Sequence, residues 1–489
     1  MLPTRLRRRM LRRTTALKLR SCTTNSFASD TTRSAVRVRY APSPTGYLHL
    51  GGLRTALFNY LFAKSSGGQF ILRIEDTDKT RQVEGSVEAL VNSLKWCGVE
   101  EDEGPNVGGP YGPYIQSQRL SIYRDAVKKL VESGHAYRCF CTSERLQKLR
   151  ETQTRHGEAT MYDRACLGLN DDEVKARVGR GDSFVIRLKI PEGKTVVKDL
   201  LRGYVQFDHT GIDDQVLMKS DGYPTYHLAN VVDDHAMRIS HVIRGEEWLP
   251  STPKHVILYK ALGYEIPVWA HLGLLLNENR SKLSKRQGDV AVEDFRHKGF
   301  LPSGLVNFVA MLGWNPADGN NQEIFQMKEL EEQFSIDNVN KAGSVVNIDR
   351  LRWINSRHVR ALFAEENISE TRKIAVLNDV LPLMSSSLEA AGIPTTPADL
   401  FKKFGVRYVW RALDLMKDQI TECIKAVAKS RNLGLKKVLM PVRYYLTGMD
   451  GRVTVNIFFH VTLSNKSLAQ PAWEYYLRFN LLVRDKIFF

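Results

Sequence analysis

The stretch APSPTGYLHLGGLRTALFNYLF, residues 41–62, decides how this chain is read. Its first half sets Gly46, Gly51 and Gly52 around His49. Upstream, Val36-Arg37-Val38-Arg39-Tyr40 alternates like a strand, and downstream the apolar residues at 53, 56, 57, 60 and 61 fall at helical spacing. Ser65-Ser66-Gly67-Gly68 stops that helix, and Phe70-Ile71-Leu72-Arg73-Ile74 reads as a second strand. Strand, glycine-rich turn, helix, strand is the opening of an α/β nucleotide-binding unit, whose ligands collect at the C-terminal ends of the strands. Glycines in such a turn let a phosphate approach the backbone, and the helix N-terminus adds partial positive charge. The G-x-G-x-x-G spacing of dinucleotide enzymes is absent from this turn, which argues against NAD or FAD.

A second segment, Lys282-Leu283-Ser284-Lys285-Arg286, packs three cations around a serine and suits a polyphosphate leaving group. It lies more than two hundred residues further on. The two segments carry weight together only if the fold brings them to one place.

At 489 residues the chain is expected to hold two to four domains. The formal net charge is +16, but residues 1–29 hold eight Lys or Arg and no Asp or Glu, so the rest keeps only +8. That remainder fits a polyanionic partner such as a nucleic acid. The leader is rich in Arg, Ser and Thr, with Leu2, Leu6 and Met10 opposite Arg5, Arg8 and Arg12, the composition of a mitochondrial targeting segment. The competing reading is a disordered basic arm that binds nucleic acid. No run is long and apolar enough to imply membrane insertion.

Six cysteines, at 22, 97, 139, 141, 166 and 423, do not make a disulfide scaffold in a chain this long. Cys139, Cys141 and Cys166, with Tyr162 between them, are open to two readings. They are structural thiols or an incomplete tetrahedral zinc set. No metal is assigned from sequence.

Other chemistry gathers at strand ends. Glu75 closes the second strand on the crevice side of His49, where it can hold an ammonium, whereas Asp78 reads as a cap of the next helix. Gly109 to Tyr114 forms a rigid turn before a helix from Leu120 to Ser133, and Phe184 to Leu188 is the clearest strand of an inserted region. Arg244 ends the apolar run from His241 and is costly there unless it meets a carboxylate. With Arg39 it supplies two guanidinium groups for a dicarboxylic substrate. From Leu351 onward the text reads as helix after helix.

These segments resemble the glutamyl-tRNA synthetases of bacterial and organellar type, class I aminoacyl-tRNA synthetases. The resemblance rests on residues 41–62, FILRIEDTD (70–78), GGPYGPY (108–114), YRCFC (137–141), PTYHLANVVDDH (224–235), HVIRGEEWL (241–249) and KLSKRQGDV (282–290). It implies an α/β fold: a Rossmann-like catalytic domain with an α+β insertion, then an all-α anticodon-binding region. The implied limits are a targeting segment at 1–34 and the catalytic first half at 35–119. An acceptor-stem insertion at 120–222 and the second half at 223–277 follow. The loop and stem-contact domain takes 278–361, a shortened helical region 362–449, and an unplaced tail 450–489.

The resemblance further implies a glutamate pocket of Arg39, Tyr40, Ala41, Ser43, Glu75, Tyr226, His227, Leu228, Ala229, Asn230 and Arg244. ATP would meet Pro44, His49, Gly51, Gly52, Glu247, Trp248, Lys282, Leu283, Ser284, Lys285 and Arg286, with His49, Lys282 and Lys285 catalytic. Mg²⁺ would accompany ATP, some relatives hold zinc at the cysteines, and the partners would be L-glutamate, ATP and tRNA-Glu, with tRNA-Gln as a second acceptor. A monomer of the mitochondrial matrix is expected. The rivals are a tRNA-modifying glutamyl-queuosine synthetase, which normally lacks the helical C-terminal region, and a non-catalytic tRNA-binding protein, in which damaged ATP motifs are expected. The segments at 408–415 and 439–448 stand closer together than in the family, and residues 450–489 match nothing in it, as in an altered splice form or gene model.

Overall fold

Residues 35–283, 291–317, 321–364 and 369–380 are described by the computed structural model. The expectations for the targeting segment, for Ser284, Lys285 and Arg286, and for everything beyond residue 380 lie outside the described residues.

The opening unit forms as the spacing predicts. Strand β1 (Arg37–Tyr40) runs into helix α1 (Leu50–Ser65) and then strand β2 (Gln69–Leu72), parallel to β1. His49 caps α1, its Nδ1 accepting from the Gly52 amide at 3.1 Å. Helix α1 is buried nearly all round, Arg54 and Asn59 included. The two polar side chains are tolerated because each donates to a carbonyl: Asn59 Nδ2 to Ile243 at 3.1 Å, Arg54 Nη1 to Leu312 at 3.4 Å and Arg54 Nη2 to Gly273.

Helices α2 (Ser86–Trp96) and α3 (Leu120–Glu132) lead to strand β3 (Ala136–Cys139), then helices α4 (Ser143–Arg155) and α5 (Asp171–Gly179). Strands β4 (Val185–Leu188), β5 (Lys194–Asp199), β6 (Gly203–Asp208) and β7 (Val216–Met218) follow. Helix α6 (Tyr226–Ala236), strand β8 (His241–Gly245), helix α7 (Thr252–Leu262) and strand β9 (Val268–Leu272) rebuild the α/β pattern. Beyond them come β10 (Leu275–Leu276), α8 (Val292–His297), α9 (Pro302–Ala310), α10 (Met327–Gln333), β11 (Ser344–Val345), α11 (Ile348–Ala364) and α12 (Glu370–Val380).

Strands β3, β4 and β7 form an antiparallel sheet of the inserted region, while β6, β5, β9 and β8 form a four-stranded sheet. Strand β9 pairs in parallel with both β8 and β5. The expected limit of the insertion at residue 222 is therefore not a break in hydrogen bonding, because β5 and β6 join the sheet of the second catalytic half. β1 is tied to the start of β8, Arg37 N donating to Ser240 Oγ and Ser240 N to Arg37 O. The C-terminal ends of β1 and β8 are where Tyr40, Ala41, Arg244 and Gly245 emerge. One core cluster packs α1 against α9, α10 and α11, and a second packs α3, α6 and α7.

Candidate active site

The loop after β1 is held by its own backbone. Glu75 N donates to Pro42 O and Val83 N to Pro44 O, both at 3.0 Å. Gly52 is required by space, since a Cβ there would lie 2.7 Å from the Tyr40 hydroxyl. Gly46 has φ 144°, a value that favours glycine. Pro44 is buried and Ser43 exposed on this loop. With Nδ1 accepting from Gly52, a neutral His49 carries its proton on Nε2 and presents a donor there.

The expected glutamate residues share one electrostatic neighbourhood. Arg39 Nε donates to Asp234 Oδ1 at 3.1 Å, and Arg73 Nη1 reaches the same oxygen at 2.7 Å. Arg73 Nη2 donates to Glu75 Oε1 at 3.2 Å. Asp233, next in chain, takes Arg119 Nε at 2.7 Å, Tyr123 OH at 2.8 Å and Gln116 Nε2 at 2.9 Å. Arg39, Arg73 and Arg119 thus meet Glu75, Asp233 and Asp234, all six buried. The Asn230 amide, oriented to satisfy both ends, accepts from Arg73 Nη2 at 3.2 Å and donates to Asp234 Oδ2 at 3.3 Å. Burial opposes ionisation of Asp234, yet Arg39 and Arg73 hold its carboxyl below the ordinary value. Burial wins at Glu75, whose carboxyl is pushed up despite Arg73 and Arg39.

Arg244 is treated differently. It is 4 % exposed, and its donors go to His271 Nε2 at 3.1 Å, Tyr226 OH at 3.2 Å, His255 Nδ1 at 3.3 Å, Trp248 O at 3.2 Å and Thr252 Oγ1 at 2.9 Å. Its guanidinium lies 4.9 Å from the Trp269 ring centre. Among the described residues none of its hydrogen bonds goes to a carboxylate. The imidazoles around it stay neutral: burial first, then the neighbouring cations, hold His227 down to about 3 and His255 well below its usual value. Burial also pulls the Arg244 pKa down, with Arg39 adding repulsion. A buried cation among neutral groups is a ready site for an anion.

On α6, Tyr226 and Asn230 lie one turn apart on the face toward Arg244 and Arg73. Leu228 and Ala229, between them, are fully buried in the second core cluster, so only their backbone is left to face a ligand. His227 contacts His255, Nδ1 to Nε2 at 3.1 Å, and reaches Arg244 only through it. The Tyr226 and Trp248 rings stand 4.3 Å apart, joining this pocket to Glu247 and Trp248 after β8. Sequence reading missed Arg73, Asp233, Asp234 and Arg119. Charged residues inside FILRI and VVDDH, otherwise apolar, were the available signal.

The described residues that flank the second phosphate-type segment pair with two different neighbours. His49 pairs with Ala291 in an antiparallel bridge, and Val292 N donates to Leu48 O at 2.8 Å. Lys282 pairs with Leu276 and Leu283 N donates to Leu275 O at 2.9 Å. The described residues on either side of residues 284–290 are thus paired, Lys282 and Leu283 with β10 and Ala291 with the residue that caps α1. Gly51 lies in the first turn of that helix, where a Cβ would lie 3.2 Å from His49 Nδ1.

Comparison with known proteins gives the family. Residues 35–353 match the family described as tRNA synthetases class I (E and Q), catalytic domain. The chain belongs to this family. A glutamate–tRNA ligase of Clostridioides difficile is 55 % identical over 334 residues, covering 66 % of this chain and 67 % of that protein. One from Chlorobium phaeovibrioides is 48 % identical over 392 residues, covering 79 % and 73 %. The crystal structure of a glutamate tRNA ligase from Elizabethkingia meningosepticum in complex with its amino acid matches with TM-score 0.66 and 36 % identity, over 85 % of this chain and 94 % of that one.

Outside the class I synthetase pocket, Cys139, Cys141 and Cys166 converge, their sulfurs all within 4.8 Å of one another. Cys139 Sγ donates to Tyr162 OH at 3.3 Å, and Cys141 Sγ lies 3.6 Å from Cys166 Sγ. The Arg187 guanidinium sits 4.0 Å from the Tyr162 ring centre. Three sulfurs and a phenol oxygen at these spacings fit a tetrahedral ion. Asp78, as expected, caps a turn, accepting from Thr80 N at 3.2 Å.

Proposed function

We infer that the chain is a class I aminoacyl-tRNA ligase that activates L-glutamate with ATP and transfers it to the 3′-terminal adenosine of tRNA-Glu. The observation that carries this reading is Arg244, a buried cation at the C-terminal end of β8 that meets no carboxylate among the described residues and is bonded to Tyr226 and Trp248. A substrate carboxylate would supply the missing countercharge by displacing neutral acceptors from the Nη groups, and Glu75, beside Arg39 and Arg73, is the group for the α-ammonium. Glutamine is rejected because its amide cannot compensate desolvation of a guanidinium.

The chemistry needs positioning and charge stabilisation. A glutamate α-carboxylate oxygen attacks the α-phosphorus of ATP in line, the bond to pyrophosphate breaks, and glutamyl-adenylate forms. His49 Nε2–H is a donor for phosphate oxygens, and the α1 N-terminus with Gly51 and Gly52 lies alongside. Lys282 and Lys285 would neutralise the leaving pyrophosphate, and Mg²⁺ would accompany the phosphates of ATP. A ribose hydroxyl of tRNA then attacks the acyl carbon and AMP departs.

The finer points belong to the same proposal. Residues 1–34 direct the chain to the mitochondrial matrix, tRNA-Gln is a second acceptor, and the chain acts as a monomer. Among the described residues no helix is long and apolar enough to cross a membrane. Cys139, Cys141, Tyr162 and Cys166 would hold a zinc ion that braces the insertion and takes no part in the reaction. Charging of tRNA-Glu and tRNA-Gln with labelled glutamate, side by side, tests the acceptor range. A reporter fused to residues 1–34 tests the address: mitochondrial fluorescence supports it, and diffuse fluorescence refutes it.

A further inference from the structure

Asp199 closes β5, in the stretch assigned by sequence to the insertion, and His271 lies on the neighbouring strand β9. Both are buried, with no exposure of either side chain. Asp199 Oδ2 is 2.6 Å from His271 Nδ1, and His271 Nε2 is 3.1 Å from Arg244 Nε. Arg244 Nε can only donate, so Nε2 accepts and the imidazole proton sits on Nδ1, facing Asp199. Asp199 Oδ1 accepts from Leu201 N at 2.9 Å and Arg202 N at 3.0 Å, so both carboxylate oxygens are committed. Arg202 follows in the turn between β5 and β6, and it donates to His271 O at 3.2 Å, to Lys341 O at 3.2 Å and to the Glu246 carboxylate. The imidazole is stacked against Trp269, ring centres 6.2 Å apart and planes at 14°. Its third neighbour, Thr252 Oγ1, stands 3.2 Å from Nε2.

We propose that Asp199 and His271 are positioning residues for substrate carboxylate recognition, a buried dyad that fixes the imidazole tautomer and thereby aims the Arg244 guanidinium. This inference rests on the glutamate reading above and adds residues that touch no substrate. Arg244 is set by five hydrogen bonds, and the bond from Nε is the one that orients the guanidinium plane, leaving both Nη groups toward Tyr226 and Trp248. The partner of that bond is correct only in one tautomer, and the carboxylate of Asp199 selects it. Because Asp199 belongs to the β5–β6 hairpin and its turn is tied to Lys341, the dyad also links the insertion and the residues near β11 to the substrate arginine.

The test exploits the geometry at Asp199. In Asp199→Asn the two backbone donors at 201 and 202 hold the amide oxygen, so the amide nitrogen points at His271 Nδ1. The imidazole must then accept there and carry its proton on Nε2, facing the Arg244 donor. The expected result is a rise in KM for glutamate and a fall in kcat/KM of about 10- to 100-fold, the worth of one hydrogen bond to a charged group. KM for ATP and thermal midpoint stay near wild type. A second pair separates positioning from mere structure. His271→Gln can place its amide oxygen where Nε2 was and keep the acceptor for Arg244, whereas His271→Asn keeps only the contact with Asp199. The dyad predicts that the glutamine variant retains kcat/KM for glutamate within a few-fold and that the asparagine variant loses it as Asp199→Asn does. Equal losses in both His271 variants, or wild-type kinetics in all three, overturn the positioning role. If Asp199→Asn does not fold, the His271 pair decides by the same criterion. A wild-type chain that activates no glutamate at all overturns the parent reading instead.

Discussion

Replacing Arg244 with Met removes the cation while keeping a flexible apolar side chain of similar reach. In the unliganded site the guanidinium is buried, bonded to neutral acceptors and repelled by Arg39. Its burial therefore costs stability rather than adding to it, and losing the charge offsets part of the hydrogen bonding given up to Trp248 O, Thr252 and the two imidazoles. Folding stability is expected to change by no more than about 2 kcal/mol in either direction. Glutamate use should fall much further. Truncating one partner of a buried charge pair costs about 2–5 kcal/mol, or roughly 30-fold to several thousand-fold in kcat/KM. Arg244→Lys should fall between, because a point charge replaces a planar fork. The assay is glutamate-dependent exchange of pyrophosphate into ATP with tRNA present, at varied glutamate and then varied ATP, alongside urea denaturation. The loss should sit in the glutamate parameters, with KM for ATP little changed. An Arg244→Met protein that folds like wild type and keeps its kcat/KM for glutamate would refute the assignment of Arg244 to a substrate carboxylate.

Asp234→Asn leaves three buried guanidinium groups facing two carboxylates, so it should lose about 3–5 kcal/mol in urea denaturation, and a loss below about 1 kcal/mol would contradict the network. Burial holds His227 down to about 3 and His358 to about 4, from an ordinary 6.5, so below that value the unfolded chain binds protons that the folded chain refuses. Stability is accordingly full above pH 6.5 and falls toward pH 4, by up to about 1.4 kcal/mol per pH unit for each such histidine. Glu75, pushed up by burial, works in the opposite sense above its ordinary 4.5. An identical urea midpoint at pH 7.5 and pH 5 would refute this. The purified chain should carry one equivalent of zinc by elemental analysis, and Cys166→Ser should lose both the metal and several degrees of thermal midpoint without raising KM for glutamate. Metal-free protein of wild-type stability after mild chelation would rule the ion out.

Much of the site was legible because its chemistry sits at the ends of apolar runs. His49, Glu75 and Arg244 follow strands or open a helix, where periodicity marks the boundary and charge marks the ligand side. What stayed hidden depends on pairing across the chain. Arg39 reads from sequence as a free cation, but Asp234, nearly two hundred residues away, already claims its Nε. Asp199 and His271 gave no local signal that they touch, since they lie on strands β5 and β9, which only the sheet order brings together. Leu228 and Ala229 came with Tyr226 and Asn230 through the family resemblance, and only the fold shows that α6 turns their side chains toward the core. The apolar spacing of α1 marked a helix but not how far it is buried, because periodicity cannot foresee layers packed on both sides. The reach of the sheet into residues 194–208 was missed for the same reason: β5 and β6 look like insertion strands until β9 is placed beside them.

Attachment of labelled glutamate to tRNA-Glu by the wild-type chain tests the central claim most directly. Acid-precipitable label is expected only when ATP and tRNA are both present, with glutamine unable to replace glutamate. Folded protein that attaches no glutamate, or that attaches glutamine equally well, would contradict it.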